Sequence, residues 1–290
     1  MDPIVFLNGE FIKASDATIS IFDGGFLHGA GLFETMRADH GHVFRLHPHL
    51  DRMINSATAL GLPITLESLP TAADFDKLIA ENELKTARLR MTVTVGSMHP
   101  SDVAADRPIL TVCVTASSLP AYPPELFRHG MKVMITTYTQ STADPLIGHK
   151  TINYLPRLLA LRKAREFNCG EAFWFTPQNY LAEGCISSVF VVKDNAIATP
   201  PLDTPVLPSV TRSAVLEIAE REGIEHHEKA ININDLLGAD EVFITNSSMQ
   251  VVPVCSVEKT DIAEGKPGPM AARLRQLYIE LVDQECKAQG

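Results

Sequence analysis

The sequence predicts a two-domain α+β protein, and three observations carry that expectation. Strand-like and helix-like runs both occur in the first hundred residues and again in the last hundred and sixty. Residues 116–124, with three prolines and two serines, have linker composition. The length, 290 residues, gives room for two medium cores. The expected boundaries are 1–117 for an amino-terminal α+β domain, 118–126 for the interdomain linker and 127–290 for a carboxy-terminal domain.

Each element follows from its local pattern. Residues 4–7 are an apolar run, Asn8-Gly9 is a strong two-residue turn signal and Phe11-Ile12 begins the return, so a hairpin opens the chain. Residues 19–22 are expected as another short strand. Residues 47–60 have helical spacing, with Leu50, Met53, Ile54, Ala57 and Leu60 on one face and Gly61 as the stop. Residues 73–82 predict a second helix. Residues 88–95 alternate and 109–115 are rich in β-branched side chains, which predicts an antiparallel pair. Beyond the linker, strands are expected at 132–137, 172–176, 189–193, 196–199, 241–245 and 251–254. Helices are expected at 153–167, 212–222 and 270–287, the last as an amphipathic closing helix.

Composition narrows the function. The chain is 45% hydrophobic and 21% charged, as an ordinary globular protein is. A formal net charge of -10 without a long basic block argues against nucleic acid and anionic membranes as partners. An anionic ligand must then be captured by a few placed arginines and backbone amides. No stretch approaches the ~18 apolar residues of a membrane span. The start, Met1-Asp2-Pro3-Ile4-Val5-Phe6, lacks the basic and apolar regions of a secretion signal. Cys113, Cys169, Cys185, Cys255 and Cys286 are scattered, without metal-ligand spacing. A cytoplasmic location is the expectation.

Three stretches carry chemistry. Lys150 follows a polar loop and precedes an apolar helical run, so Ile147, Ile152 and Leu155 can wall a lysine whose amine must be neutral to form a Schiff base. Glu183, about 33 residues on, follows a turn at Pro177-Gln178-Asn179 and precedes a buried strand, a position that aims a carboxylate inward. Pro208-Ser209-Val210-Thr211-Arg212 begins a helix whose unpaired first amides, with the positive end of the dipole, suit a phosphate. Ser209 or Thr211 can serve as a plain N-cap at the same time. Arg52 adds a bidentate fork, and Asn246-Ser247-Ser248 adds hydroxyls. Amine, carboxylate and phosphate cradle together are what pyridoxal 5'-phosphate requires. His47-Pro48-His49 and His226-His227 lack partners at ligand spacing, so no metal site is expected. Neither a Gly-x-Ser-x-Gly elbow nor a Gly-x-Gly-x-x-Gly turn is present.

These segments, taken in order, resemble the class IV (fold type IV) pyridoxal-phosphate aminotransferases, which include branched-chain aminotransferases, D-amino-acid aminotransferases and aminodeoxychorismate lyases. His28-Gly29-Ala30-Gly31-Leu32-Phe33-Glu34-Thr35-Met36-Arg37 resembles a family element, as do Phe44-Arg45-Leu46 with His49-Leu50-Asp51-Arg52, Lys150-Thr151-Ile152-Asn153, and the stretches 183–190, 207–212 and 246–254. The resemblance covers nearly the whole chain. It implies a smaller amino-terminal α/β domain and a larger carboxy-terminal domain with a mostly antiparallel pseudo-barrel. It implies that Lys150 holds the cofactor and shuttles the proton, and that Glu183 meets the pyridine nitrogen. Arg52, the Val210 and Thr211 amides, Ser247 and Ser248 are then expected to hold the phosphate. His28, Arg37 and Arg90 are expected on the substrate side, and a homodimer is implied.

The chain also departs from the family pattern. Ser188 stands where asparagine is common, Ala30 where aspartate is common, and Val95 where two branches place arginine. Three functions stay open on the sequence. The leading one moves an amino group from a branched-chain-like or D-amino acid to a 2-oxo acid. The second releases pyruvate from aminodeoxychorismate, and the third holds the cofactor without turnover.

Overall fold

The computed structural model describes residues 2–103 and 110–289. Its contacts divide the chain into two compact units. One comprises Met1–Pro120, His149–Asn153 and Val282–Gly290, the other Ala121–Gly148 and Tyr154–Leu281.

In the first unit, β1 (Ile4–Leu7) and β2 (Glu10–Lys13) form the opening hairpin. Asn8 and Gly9 take φ of 52° and 94°, the left-handed pair that a tight turn between twisted strands requires. There follow α1 (Gly24–His28), β3 (Gly31–Asp39), β4 (His42–Val43), α2 (Leu46–Leu60), α3 (Ala72–Glu81), β5 (Ala87–Thr94), α4 (Pro100–Val103) and β6 (Thr111–Ser118). The strands form one antiparallel sheet in the order β2-β1-β6-β5-β3-β4. Helices α2 and α3 pack on it, enclosing Met36, Met53, Phe75, Leu78, Leu89 and Met91. Of the expected β6 strand, Ile109 lies outside the described residues.

Two expectations in this unit change. Residues 19–22 are not a strand. Ile19, Ile21 and Phe22 are exposed, and the neighbouring sheet contact is a single bridge from Asp23 to Ser97. Asp23 ends the segment by capping α1: its Oδ1 accepts from the Gly25 and Phe26 amides, and its Oδ2 from the Thr94 and Thr111 hydroxyls. Conversely, β3 is a strand that the local pattern does not announce. It is buried on both faces, and Glu34 and Arg37 interrupt the alternation that would have marked it. Its first residue has to be glycine: a Cβ at Gly31 would stand 2.6 Å from the Val93 carbonyl oxygen.

The second unit contains α5 (Pro124–His129), β7 (Met131–Thr139), α6 (Leu155–Glu166), β8 (Glu171–Phe175), β9 (Leu181–Gly184), β10 (Ser188–Lys193), β11 (Ala196–Thr199), α7 (Val210–Arg221), β12 (His226–Glu228), α8 (Ile233–Leu237), β13 (Glu241–Asn246), β14 (Gln250–Val257), β15 (Thr260–Asp261) and α9 (Pro269–Lys287). The sheet runs β12-β11-β10-β13-β14-β7-β8-β9, with β15 on β14. It is mostly antiparallel; the parallel pairs are β11 with β12, β14 with β7, and β7 with β8. Val133, Phe173, Leu181, Ile244, Val252 and Leu236 sit in its core. Glu183 precedes the buried strand β10, as expected, and itself lies within β9, so the ladder fixes its direction. Among the described residues no helix is long and apolar enough to cross a membrane.

Candidate active site

The segment around Lys150 joins the first unit's sheet at the end of β3. Phe33 N donates to Lys150 O at 2.9 Å, Leu32 and Thr151 form a bridge, and Ile152 N donates to Gly31 O at 3.0 Å. Pairing with a buried strand gives a loop lysine a fixed backbone, which a reactive amine needs. The Lys150 ammonium nitrogen stands 4.6 Å from the centroid of the Phe33 ring, and the Arg90 guanidinium carbon stands 3.9 Å from the same centroid. An aromatic face attracts both cations and fixes where they stand.

Beneath this face, β3 and α2 build a buried charged cluster. His49 and Arg52, three residues apart on α2, share one helix face and both reach Glu34. Arg52 Nε donates to Glu34 Oε1 at 2.8 Å, Arg52 Nη2 donates to Glu34 Oε2, and His49 Nδ1 meets the same Oε2 at 2.8 Å. Glu34 is 1% exposed. Burial alone would push its carboxyl up, but the Arg52 charge and the hydrogen bonds from His49 and Arg52 outweigh it and hold the carboxyl at about 2. Burial lowers His49 against the pull of Glu34, with the Arg52 and Lys150 charges adding to the lowering. A neutral ring with its proton on Nδ1 therefore donates to Glu34. His149 Nδ1, beside Lys150, meets Ser56 Oγ of α2 at 3.0 Å.

The other two expected substrate residues stand elsewhere in the unit. Arg37 lies four residues beyond Phe33 on β3, roughly 13 Å away at ~3.3 Å per residue. Its Nη2 donates to Asp39 at 3.3 Å, while its buried Nε and Nη1 have no partner among the described residues. His28 is exposed at the end of α1, next to Gly29, whose φ of 69° closes the helix.

The second unit carries a cluster of its own, organised around Glu183. Its Oε1 accepts from Arg157 Nη2 and from Gln140 Nε2 at 3.0 Å, and its Oε2 accepts from Leu207 N at 3.0 Å. Arg157 Nη1 also donates to the Gly184 and Cys185 carbonyls, each at 3.0 Å, and the Tyr154 hydroxyl donates to the Cys185 carbonyl at 2.7 Å. Burial pushes the Tyr154 hydroxyl up, so it stays a donor. On the other side of the 184–187 turn lies Glu171, fully buried. It accepts from the amides of Ala172, Cys185 and Ile186 and from the Ser187 hydroxyl. Burial raises its carboxyl despite those bonds. The turn has no room for a side chain at Gly184, where a Cβ would meet Ser187 Oγ at 2.3 Å and Glu171 Oε2 at 2.8 Å.

The amino terminus of α7 and the β13–β14 turn carry the remaining expected residues. Ser209 caps α7 by accepting from Arg212 N at 3.3 Å, and the first backbone bond into the helix comes from Ser213 N to Ser209 O. The Val210 and Thr211 amides precede that bond and are the donors a phosphate takes. Ser247 and Ser248 lie in the β13–β14 turn, which Asn246 shapes by accepting from the Ser248 and Met249 amides. Asn246 Nδ2 also donates to the Ile186 carbonyl at 3.1 Å, tying this turn to the one after Glu183. Ser188 sits opposite Thr245, whose buried Oγ1 has no partner among the described residues.

Several of these residues were not singled out from sequence. Tyr154 at the N-cap of α6 and Arg157 in its first turn come four and seven residues after Lys150, a spacing that could have flagged them. Glu171 is a carboxylate opening an apolar run, and Glu34 faces a histidine and an arginine spaced for one helix face. Gln140 carried no signal. Among the described residues no group of three or more His, Cys, Asp or Glu side chains is placed to hold a metal ion.

Comparison with known proteins fits this inventory. Residues 31–257 match the family model for amino-transferase class IV. A Methanocaldococcus jannaschii protein, provisionally named a branched-chain-amino-acid aminotransferase, is 31% identical over 280 residues, 96% of each chain. A Listeria monocytogenes D-alanine aminotransferase is 29% identical over 284 residues, 97% of each chain. The T.th. branched-chain amino acid aminotransferase, solved with pyridoxamine 5'-phosphate, superposes with a TM-score of 0.87 at 27% identity, covering 97% of this chain and 94% of that one. The residues present suit such a cofactor in type: in the first unit a loop lysine paired with β3, and in the second a carboxylate with an acceptor position to spare, helix-start amides ahead of the first helical bond and a buried Thr245 hydroxyl without a partner among the described residues. The chain belongs to the class IV aminotransferases of fold type IV and is a pyridoxal-phosphate-dependent transaminase.

Proposed function

We propose that the protein moves the amino group of a branched-chain-like or D-amino acid to a 2-oxo acid. The observation that carries this reading is the sharing of the Phe33 ring by the Lys150 amine and the Arg90 guanidinium. An α-amino acid presents a carboxylate one carbon from its amine, so a cation beside the reactive lysine matches its two ends. When bound, the cofactor supplies an electron sink for charge developing at the substrate α-carbon. Lys150 Nζ holds the cofactor, and once released takes up and returns the α-proton. Arg90 grips the carboxylate.

Further roles belong to the same reading. Glu34 orients the Arg52 fork toward phosphate, the Val210 and Thr211 amides with Ser247 and Ser248 add donors, and Glu183 receives the pyridine nitrogen. His28 and Arg37 stand further out as substrate-side residues, Arg37 with two guanidinium nitrogens that have no partner among the described residues. The relatives named for branched-chain amino acids and D-alanine support both donor classes. A domain division at 1–117 and 127–290, a homodimer and a cytoplasmic location complete the proposal by family resemblance.

A donor screen with 2-oxoglutarate as acceptor tests it. Glutamate should accumulate with L-branched-chain amino acids or with D-alanine. Failure of transfer with every donor, together with pyruvate release from aminodeoxychorismate, would refute it.

A further inference from the structure

We propose that Arg157 is the resident counter-ion of Glu183, a positioning residue that holds this carboxylate ready until a ring nitrogen reaches its remaining acceptor position. The proposal rests on the role given to Glu183 above. Glu183 is 4% exposed, and an isolated carboxylate at such a site is costly. Of its three bonded partners among the described residues, the Gln140 amide and the Leu207 backbone are neutral, and only Arg157 carries charge.

The guanidinium is itself held from several sides. It donates to the Gly184 and Cys185 carbonyls and lies 5.8 Å from the Tyr154 ring centroid and 5.7 Å from that of Trp174. Burial works against its charge, but Glu183 beside it outweighs burial and raises Arg157 further. It is therefore cationic at every working pH.

A carboxylate offers about four acceptor positions. Arg157 and Gln140 fill both on Oε1 and Leu207 N fills one on Oε2, which leaves one on Oε2. The carboxylate is thus aimed and charge-balanced by the protein alone. A ring N–H that arrives adds a second positive partner and shares the charge with Arg157. Without Arg157 the carboxylate would depend on the arriving cation for its balance.

The test uses full-length protein, with and without pyridoxal 5'-phosphate, and the variants Arg157→Met, Glu183→Gln and their combination, read by thermal unfolding. Arg157→Met should lower the midpoint of cofactor-free protein by about 4 °C or more, as expected when one partner of a buried pair is removed. Adding Glu183→Gln should recover about half of that loss, because the orphaned charge is gone. Pyridoxal 5'-phosphate should raise the Arg157→Met midpoint more than the wild-type midpoint, whereas its 1-deaza analogue, with carbon in place of the ring nitrogen, should not.

A double variant no more stable than Arg157→Met overturns the proposal, since Arg157 would then act only through the two carbonyls. If Arg157→Met does not fold, folding of the double variant supports the proposal and its failure overturns it. Rescue in cofactor-free protein, with equal effects of the cofactor and its deaza analogue, keeps the counter-ion and removes Glu183 from the ring nitrogen.

Discussion

Replacing Glu34 by glutamine removes the negative charge at the centre of the Glu34–His49–Arg52 cluster while keeping the side-chain shape. The carboxyl falls from an ordinary value of 4.5 to about 2. At about 1.4 kcal/mol per pKa unit, that difference corresponds to roughly 3 kcal/mol of stability at neutral pH. The group is 1% exposed, so solvent screening takes little from this figure. A carboxylate depressed in the folded state stabilises fully above its unfolded value and loses that contribution as pH falls through its folded value. The window therefore runs from pH 4.5 down to about 2.

Glu34→Gln should lower the unfolding midpoint at pH 7 by about 6 to 12 °C, at ~2–4 °C per kcal/mol. The gap to wild type should shrink through that window and close near its lower end. Circular dichroism melts from pH 7 to pH 2 measure both. Equal midpoints at pH 7, or a gap that does not change with pH, would refute the ion-pair account of this cluster.

Three further substitutions follow. Lys150→Ala should abolish the covalent adduct that borohydride traps between protein and cofactor, and an intact adduct by mass spectrometry would remove Lys150 from its role. Arg90→Met should raise KM for the amino acid about tenfold or more while changing kcat less, as loss of uniform binding does; a drop in kcat at constant KM would contradict carboxylate capture. Gly184→Ala should destabilise by about 1–3 kcal/mol in urea unfolding, the cost of overpacking, because the new methyl meets Ser187 Oγ at 2.3 Å. An unchanged midpoint would show that the turn can shift.

The sequence by itself determined the elements whose residues announce their own conformation. The Asn8-Gly9 hairpin needed only a local turn rule, and α2 and α3 were marked by apolar spacing with Gly61 as a stop. Lys150, Glu183 and the 207–212 stretch stood out because amine, carboxylate and helix-start amides are each a chemical type with a motif around it. Whatever depends on a distant partner was not readable. β3 looked irregular because Glu34 is tolerated inside a sheet only through groups that α2 supplies, Arg52 and His49, while Arg37 breaks the alternation a second time and meets Asp39 of β3 itself. Residues 19–22 looked like a strand, yet β-propensity describes a fit to a half-buried surface, and Ile19, Ile21 and Phe22 stay exposed. Arg157 was a helix-start arginine until tertiary structure set it against Glu183, 26 residues away. Local pattern fixes dihedrals and periodicity, whereas the cost of a buried charge is decided by what the fold brings beside it.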